Sequence, residues 1–291
     1  MTPSLRRIVP LLLLPLLAST AAAQEEPWFF VQLSDPQLGM FAADSNFVQE
    51  TANLEFAVAT LNRLKPAFVV VTGDLVNKPG DAAQIAEYER IMAKLDPAIP
   101  LYNVAGNHDV RNAPTPASVE AYRREHGPDR YVIRHGEVVG IVLNSSLIHT
   151  PDSARAEYEA QERWLAEELE KVGREAPEHL FVFMHHPWFL TQATEKDEYF
   201  NIPLERRTPH LELFRRRGVS HLFSGHYHRN SFGTDGPMEM VTTGPIGMPL
   251  GKDGSGMRVV IVRGSEIEHR YYEIDMIPKR IDLAPQGEPD N

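Results

Sequence analysis

The sequence predicts an α/β fold with a mostly parallel sheet between helices, and three observations carry that prediction. Short β-branched apolar runs alternate with segments of helical period, the pattern that βαβ units produce. The first run, FFVQL, is nearly continuous in apolar residues, as a strand buried on both faces must be. Polar clusters stand at the carboxyl ends of the runs, where open α/β sheets place their ligands.

Taken in order, the strand candidates are residues 28–33, 67–72, 100–105, 138–143, 179–184 and 219–223. Helical periodicity occupies 46–64, 81–95, 154–172 and 204–217 between them. Beyond residue 225 the pattern changes to short β runs at 238–242, 257–262 and 266–272. These are expected to form a closing antiparallel set in a second sheet packed on the first. No internal repeat or long linker is present, so one domain is expected over 24–282, followed by a disordered tail at 283–291 rich in Pro, Gly and acids.

At the amino terminus, Arg6 and Arg7 precede an apolar run broken by Pro10 and Pro15, which closes on Ala21-Ala22-Ala23-Gln24. A basic start, a short apolar centre and an Ala-x-Ala end predict a secretory signal peptide over 1–23. The run is shorter than the roughly 20 residues of a spanning helix. A periplasmic or secreted location is therefore expected, with no stable membrane insertion once the signal is removed. Cysteine is absent, which excludes disulfides and a lipid anchored on a thiol. The formal charge of the 291 residues is −11, and loss of Arg6 and Arg7 makes it more negative still. Such a surface repels nucleic acid, so no nucleic-acid partner is expected. The triplet Arg215-Arg216-Arg217 does not reverse this, since it closes a helix where cations complement the dipole.

Five polar clusters follow the apolar runs: Asp35-Pro36-Gln37, Gly73-Asp74, Gly106-Asn107-His108-Asp109, His185-His186-Pro187 and Gly225-His226-Tyr227-His228. Singly, each reads as a turn or a surface feature. Together they bring carboxylate, amide and imidazole groups to one edge of a sheet, where such groups must be satisfied. Metal ions satisfy them all at once, because hard and borderline ions take carboxylate and amide oxygens together with imidazole nitrogens. Two neighbouring ions need a ligand with two oxygens to bridge them, and Asp74 is the candidate. Gly73, Gly106 and Gly225 allow close backbone approach. Pro36 biases Asp35 toward an extended backbone.

The order D-x-[HQ], G-D, G-N-H-D, H-x-P, G-H-x-H, over residues 29 to about 275, resembles the calcineurin-like metallophosphoesterase superfamily. The strings SDPQLG, VVVTGDLVNKPGD, GNHDVRNAPT, DEYFNIP, FSGHYHRN and HRYY are similar to one branch, the calcineurin-like phosphoesterase domain-containing protein 1 group, which shares the Asp-x-Gln start. The resemblance implies a four-layer α/β/β/α sandwich with two central mixed β-sheets. It also implies two metal ions: Fe, Mn or Zn, with Mg as a further option. Asp35, Gln37, Asp74 and His228 would hold the first ion, and Asp74, Asn107, His185 and His226 the second. His186 is left to packing. In that pattern His108 faces the substrate and protonates the leaving oxygen or stabilises its charge, oriented by a carboxylate such as Asp109 or Asp74, while Asn107 also serves substrate binding.

Gln37 stands where much of the superfamily has an imidazole. Its neutral amide oxygen is the poorer donor, so weaker binding of the first ion is expected. Arg229 and Asn230, directly after the last motif, are candidates for binding phosphate oxygens, with a loop salt bridge as the alternative. Among the aromatics around the TQATEKDEYFN loop, Phe189 is assigned to the core and Trp188 to the wall of the leaving-group pocket, with Tyr199 and Phe200 as further wall candidates. The expected activity is hydrolysis of phosphomonoesters by direct attack of metal-activated water, on phosphorylated small molecules or phosphoserine/threonine proteins. Phosphodiester hydrolysis is the alternative, and a non-catalytic phosphate or metal binder is the third reading.

Overall fold

A computed structural model describes residues 26–284 and arranges eleven strands in two sheets. The chain first lays down β1 (Trp28–Leu33), β2 (Val69–Val71) and β3 (Leu101–Asn103). It then builds β4 (Tyr131–His135), β5 (Val138–Val142), β6 (His179–Phe183), β7 (Val219–Ser224), β8 (Ser231–Asp235) and β9 (Met238–Thr242). Last come β10 (Gly256–Arg263) and β11 (Glu266–Glu273), and the two sheets have the orders β11-β10-β1-β2-β3 and β4-β5-β6-β7-β9-β8. Within them β1, β2 and β3 are parallel, as are β5, β6, β7 and β9. Antiparallel strands complete both sheets.

The expected closing set does not exist as a unit. β9 extends the second sheet parallel to β7, whereas β10 and β11 pair onto β1 in the first. An apolar run marks a strand, but it carries no record of its neighbour. Strands β4 and β8 are absent from the sequence expectation because both lie at sheet edges and mix polar with apolar residues, YVIRH and SFGTD. One face of each is solvated, so neither reads as a buried run.

Three apolar layers fix the stacking. Between the sheets lie Phe30, Phe68, Phe181, Phe183 and Phe223. Phe183 and Phe223 stack at 5.4 Å, and Phe30 meets them edge-on at 5.8 and 5.7 Å. Against the outer face of the first sheet pack α1 (Val48–Leu64) and α2 (Ala82–Met92), through Leu54, Leu61, Tyr88 and Ile91. Asp81 starts α2 by accepting the amides of Ala83 and Gln84.

Three shorter helices follow, all outside the sequence expectation: α3 (Asn107–Val110), α4 (Pro116–His126) and α5 (Ser145–His149). Thr115 caps α4 with Pro116 in its first turn. The long α6 (Arg155–Glu175) and α7 (Leu204–Arg217) cover the second sheet with Leu165, Leu169, Leu211 and Phe214. The layer order is therefore α/β/β/α.

Both sheets end their parallel strands at one rim. Backbone bonds tie that rim together: Gln37 N–H to Asp74 O at 2.8 Å, Gly225 N–H to His185 O at 3.0 Å and Ile246 N–H to Ser34 O at 2.8 Å. The signal peptide expected over 1–23 lies outside the described residues. Leu283 and Ala284, the start of the expected tail, are ordered by Arg263, which donates to their carbonyls at 2.8 and 3.1 Å.

Candidate metal centre

The rim turns that follow β1, β2, β3, β6 and β7 bring the five clusters together. Asp35, Gln37, Asp74, His226 and His228 all adopt positive φ, between 39° and 67°. For residues with a Cβ that conformation costs about 1–3 kcal/mol each, so strain is concentrated where the ligand candidates stand. Asp35, with φ 47°, is not in the extended conformation expected before Pro36. Its surroundings over-determine it: its amide donates to Gly73 O at 3.2 Å, and its carboxylate accepts from the His226 amide and the Ser34 hydroxyl. Aspartate tolerates the left-handed region better than most residues. The glycines make room for these contacts. A Cβ on Gly106 would stand 2.2 Å from Asp74 Oδ1, and one on Gly225 would stand 1.8 Å from Ser34 Oγ.

The ligand candidates are buried and face one another. Asp74 Oδ2 lies 3.2 Å from His185 Nε2, which in turn lies 2.9 Å from Asn107 Oδ1 and 3.1 Å from His226 Nδ1. On the other side, His228 Nε2 is 3.4 Å from Asp35 Oδ1. Two groups of donor atoms are close enough to hold an ion each, Asp74–His185–His226 and Asp35–Asp74–His228, and Asp74 belongs to both.

Hydrogen bonds away from the centre set which atom each ligand offers. His185 donates Nδ1–H to Thr72 O at 2.8 Å, and His228 donates Nδ1–H to Met248 O at 2.6 Å, which leaves both Nε2 lone pairs facing inward. His226 is turned the other way, with Nε2 at 3.3 Å from Tyr199 O and Nδ1 inward. The amides are oriented in the same manner. Asn107 gives its NH₂ to Asn112 Oδ1 at 2.7 Å, and Gln37 gives its NH₂ to Asn77 Oδ1 at 3.1 Å. Gln37 Oε1, left by that bond, is buried and has no hydrogen-bond partner among the described residues. A buried acceptor in that state is costly unless something else binds it, and a metal ion fits.

The electrostatics favour a cation. Burial works against both carboxylates, yet the neighbouring histidines hold them below the ordinary range: Asp35 chiefly through His228, Asp74 chiefly through His185. Burial likewise opposes charge on His185, but Asp74 and Asp35 outweigh it and lift this group to about 9. His226 is pushed down to about 3 by burial and by His185. Two buried carboxylates in a cluster of imidazoles attract positive charge, which divalent ions supply.

His108 stands beside Asp74, to which its amide donates at 2.8 Å, and its ring Nδ1 is held by the carbonyl of Asn77 at 2.5 Å. Asp109 does not take the orienting part expected of it. Its oxygens accept from Leu75 N–H at 2.9 Å and Gly106 N–H at 2.8 Å, so it shapes the turn that carries Asn107 and His108. Burial, with Asp74 nearby, raises its pKa to about 8.

Asn230 donates from its NH₂ to Asp253 Oδ2 at 2.9 Å and accepts on Oδ1 from Gly244 N–H and Arg258. Arg229 lies over the ring of Tyr227 at 4.8 Å and donates Nε–H to Leu250 O at 3.0 Å. Trp188 is core, not wall: it is fully buried, and its ring stacks on His210 at 4.8 Å. Phe189 is buried as well. Tyr199 and Phe200 lie against His226, their rings 5.1 and 5.6 Å from its own. His186 packs between His226 and His149 and bonds to Ser145 Oγ at 3.0 Å. Asn77, Asn112 and the carbonyls of Thr72 and Met248 escaped sequence reading, because their roles arise only from tertiary placement.

A family profile described as Calcineurin-like phosphoesterase matches residues 30–230. Serine/threonine-protein phosphatase CPPED1 of Rattus norvegicus is 39% identical over 269 residues, covering 87% of this chain and 86% of that protein. Two solved structures share the fold at 14% identity. One is GAP50, the anchor in the inner membrane complex of Plasmodium, with a TM-score of 0.65 over 86% of this chain and 85% of that one. The other is purple acid phosphatase PPD1 from yellow lupin (Lupinus luteus) seeds, with a TM-score of 0.62 over 87% and 52%.

Proposed function

The chain belongs to the calcineurin-like phosphoesterase family and is a metal-dependent phosphatase, and from that premise we propose that it hydrolyses phosphomonoesters, including phosphoserine and phosphothreonine. The observation that carries this reading is Asp74 shared between two groups of buried donors. Asp35, Gln37, Asp74 and His228 would hold one ion, and Asp74, Asn107, His185 and His226 the other. When bound, such a pair supplies Lewis acidity that clamps phosphate oxygens and lowers the pKa of a water.

The protein's own groups do the rest. His108 donates Nδ1–H to Asn77 O, which leaves Nε2 toward the cleft; as imidazolium the ring carries a second proton there, gives it to the leaving oxygen and returns to the neutral form. Tyr199 and Phe200 restrict water on the His226 side. Arg229, steadied over Tyr227, is the cation proposed to meet phosphate oxygens. The basic, apolar and Ala-x-Ala pattern over 1–23 supports export as part of the same proposal, and an amino-terminal sequence beginning at Gln24 in the secreted protein would test it. Among the described residues no helix is long and apolar enough to cross a membrane.

Purified protein supplied with Mn²⁺ or Fe is expected to cleave p-nitrophenyl phosphate faster than its bis ester. Preference for the bis ester would assign the site to phosphodiesters, and no turnover of either would leave a binding protein.

A further inference from the structure

The cleft beside His108 carries charge that the chemistry above does not use. It has a volume of about 390 Å³ and is lined by Asn77, Lys78, His108, Arg111 and Asn112 among others. A second hollow of about 320 Å³ shares Pro79 and Arg111 with it and continues past Thr115 and Ser118 to Glu125. Arg111 therefore stands where the two meet, one residue past the turn of helix that carries His108. Beyond the proton donor lies the leaving group, so this groove is on the leaving-group side.

Two features of Arg111 need a reason. Its side chain is exposed and makes no hydrogen bond or ion pair among the described residues, in a chain with an excess of acids. Its backbone has φ 80° and ψ 151°, a region occupied almost only by glycine and strained for any residue with a Cβ. Neighbouring Lys78 is 62% exposed and has only a long contact of 3.8 Å to Asp81. Asp44, the acid on the same cleft, already accepts from Asn77 at 2.8 Å and Gln84 at 2.7 Å. The groove also carries the acids Asp44, Asp109 and Glu125, but Asp44 lies near Lys78, Asp109 accepts backbone amides and Glu125 is 3.1 Å from Arg124, so Arg111 is the lining cation without a hydrogen bond or ion pair among the described residues.

We infer that Arg111, with Lys78, forms an anion subsite that binds acidic side chains flanking the phosphorylated residue of a peptide substrate. The inference rests on the phosphomonoesterase reading and narrows it to acidic phosphopeptides. A guanidinium meets a carboxylate through two parallel hydrogen bonds, which suits it to acidic side chains.

The test compares two phosphoserine peptides of equal length, one with Asp and Glu beside the phosphoserine and one with Asn and Gln, alongside p-nitrophenyl phosphate. Wild-type protein should favour the acidic peptide by about 10-fold in kcat/KM, mostly through KM, the scale of one charge-assisted contact. Arg111→Gly should bring that ratio close to one without lowering Tm, because glycine relieves the strain. Arg111→Lys should retain part of the preference. The subsite is overturned if Arg111→Gly keeps the full ratio, or if it slows both peptides equally, as a structural role would. Hydrolysis of p-nitrophenyl phosphate by wild type without a peptide preference overturns the subsite alone, whereas no hydrolysis of any substrate overturns the phosphomonoesterase reading with it.

Discussion

His228 and Gln37 on one side of Asp74 are supported in the same way as His185 and Asn107 on the other, yet the two sides differ in what they offer an ion. Each side has one imidazole turned by a backbone carbonyl, Met248 for His228 and Thr72 for His185. Each also has one amide turned by an asparagine, Asn77 for Gln37 and Asn112 for Asn107. The side of His185 then adds a second imidazole, His226, while the side of His228 adds the carboxylate of Asp35. Equal support with unequal donors implies unequal affinity. Since each half carries one amide, the difference lies in Asp35 against His226: the half with the extra carboxylate suits a harder ion, and the half with the extra imidazole suits a borderline one.

The largest effect should come from the residue common to both halves. Asp74→Asn removes the charge that bridges them and should abolish measurable turnover while the chain stays folded by circular dichroism. Full activity in that variant would sever the link between the halves.

His108→Ala should come next, lowering kcat by about 10²–10⁴-fold with metal content unchanged. The deficit should shrink for esters with good leaving groups, and a uniform deficit would move His108 from proton transfer to binding.

The supporting asparagines separate the halves directly. Asn77→Ala keeps the carbonyl that holds His108 but frees the Gln37 amide. It should weaken the ion on that side by about 10–100-fold, the range for lost outer hydrogen bonds. Asn112→Ala should do the same to the ion beside His185 and spare the other, as metal titration would resolve. Identical titrations for the two variants would show that the halves are not separate. The smallest change is expected for Gln37→His, which should lower the metal concentration giving half-maximal activity. An unchanged or higher value would place Gln37 off the ion.

The division between legible and illegible residues follows the same physics. Buried strands such as β6, HLFVF, are apolar throughout and announce themselves, and the ligand clusters sit directly at the ends of such strands. Edge strands β4 and β8 have one wet face and do not. The ligand types were readable because carboxylate, amide and imidazole at strand ends are unusual in any sequence. Their orientation was not, since Asn77, Asn112, Thr72 and Met248 act through contacts made only after folding. Asp109 illustrates the opposite error. Position beside a motif suggested chemistry, but Asp109 satisfies backbone amides. Trp188 was misplaced because helix α7 brings His210 and Phe214 over its ring, a partnership far away in sequence.

Counting metal by elemental analysis in four purified proteins tests the shared centre most directly. Wild type should hold two ions per chain, His226→Ala and Gln37→Ala close to one each, and Asp74→Ala none. A single ion in wild type, or the same residual metal in Asp74→Ala as in the two half-site variants, would contradict a pair of sites joined by Asp74.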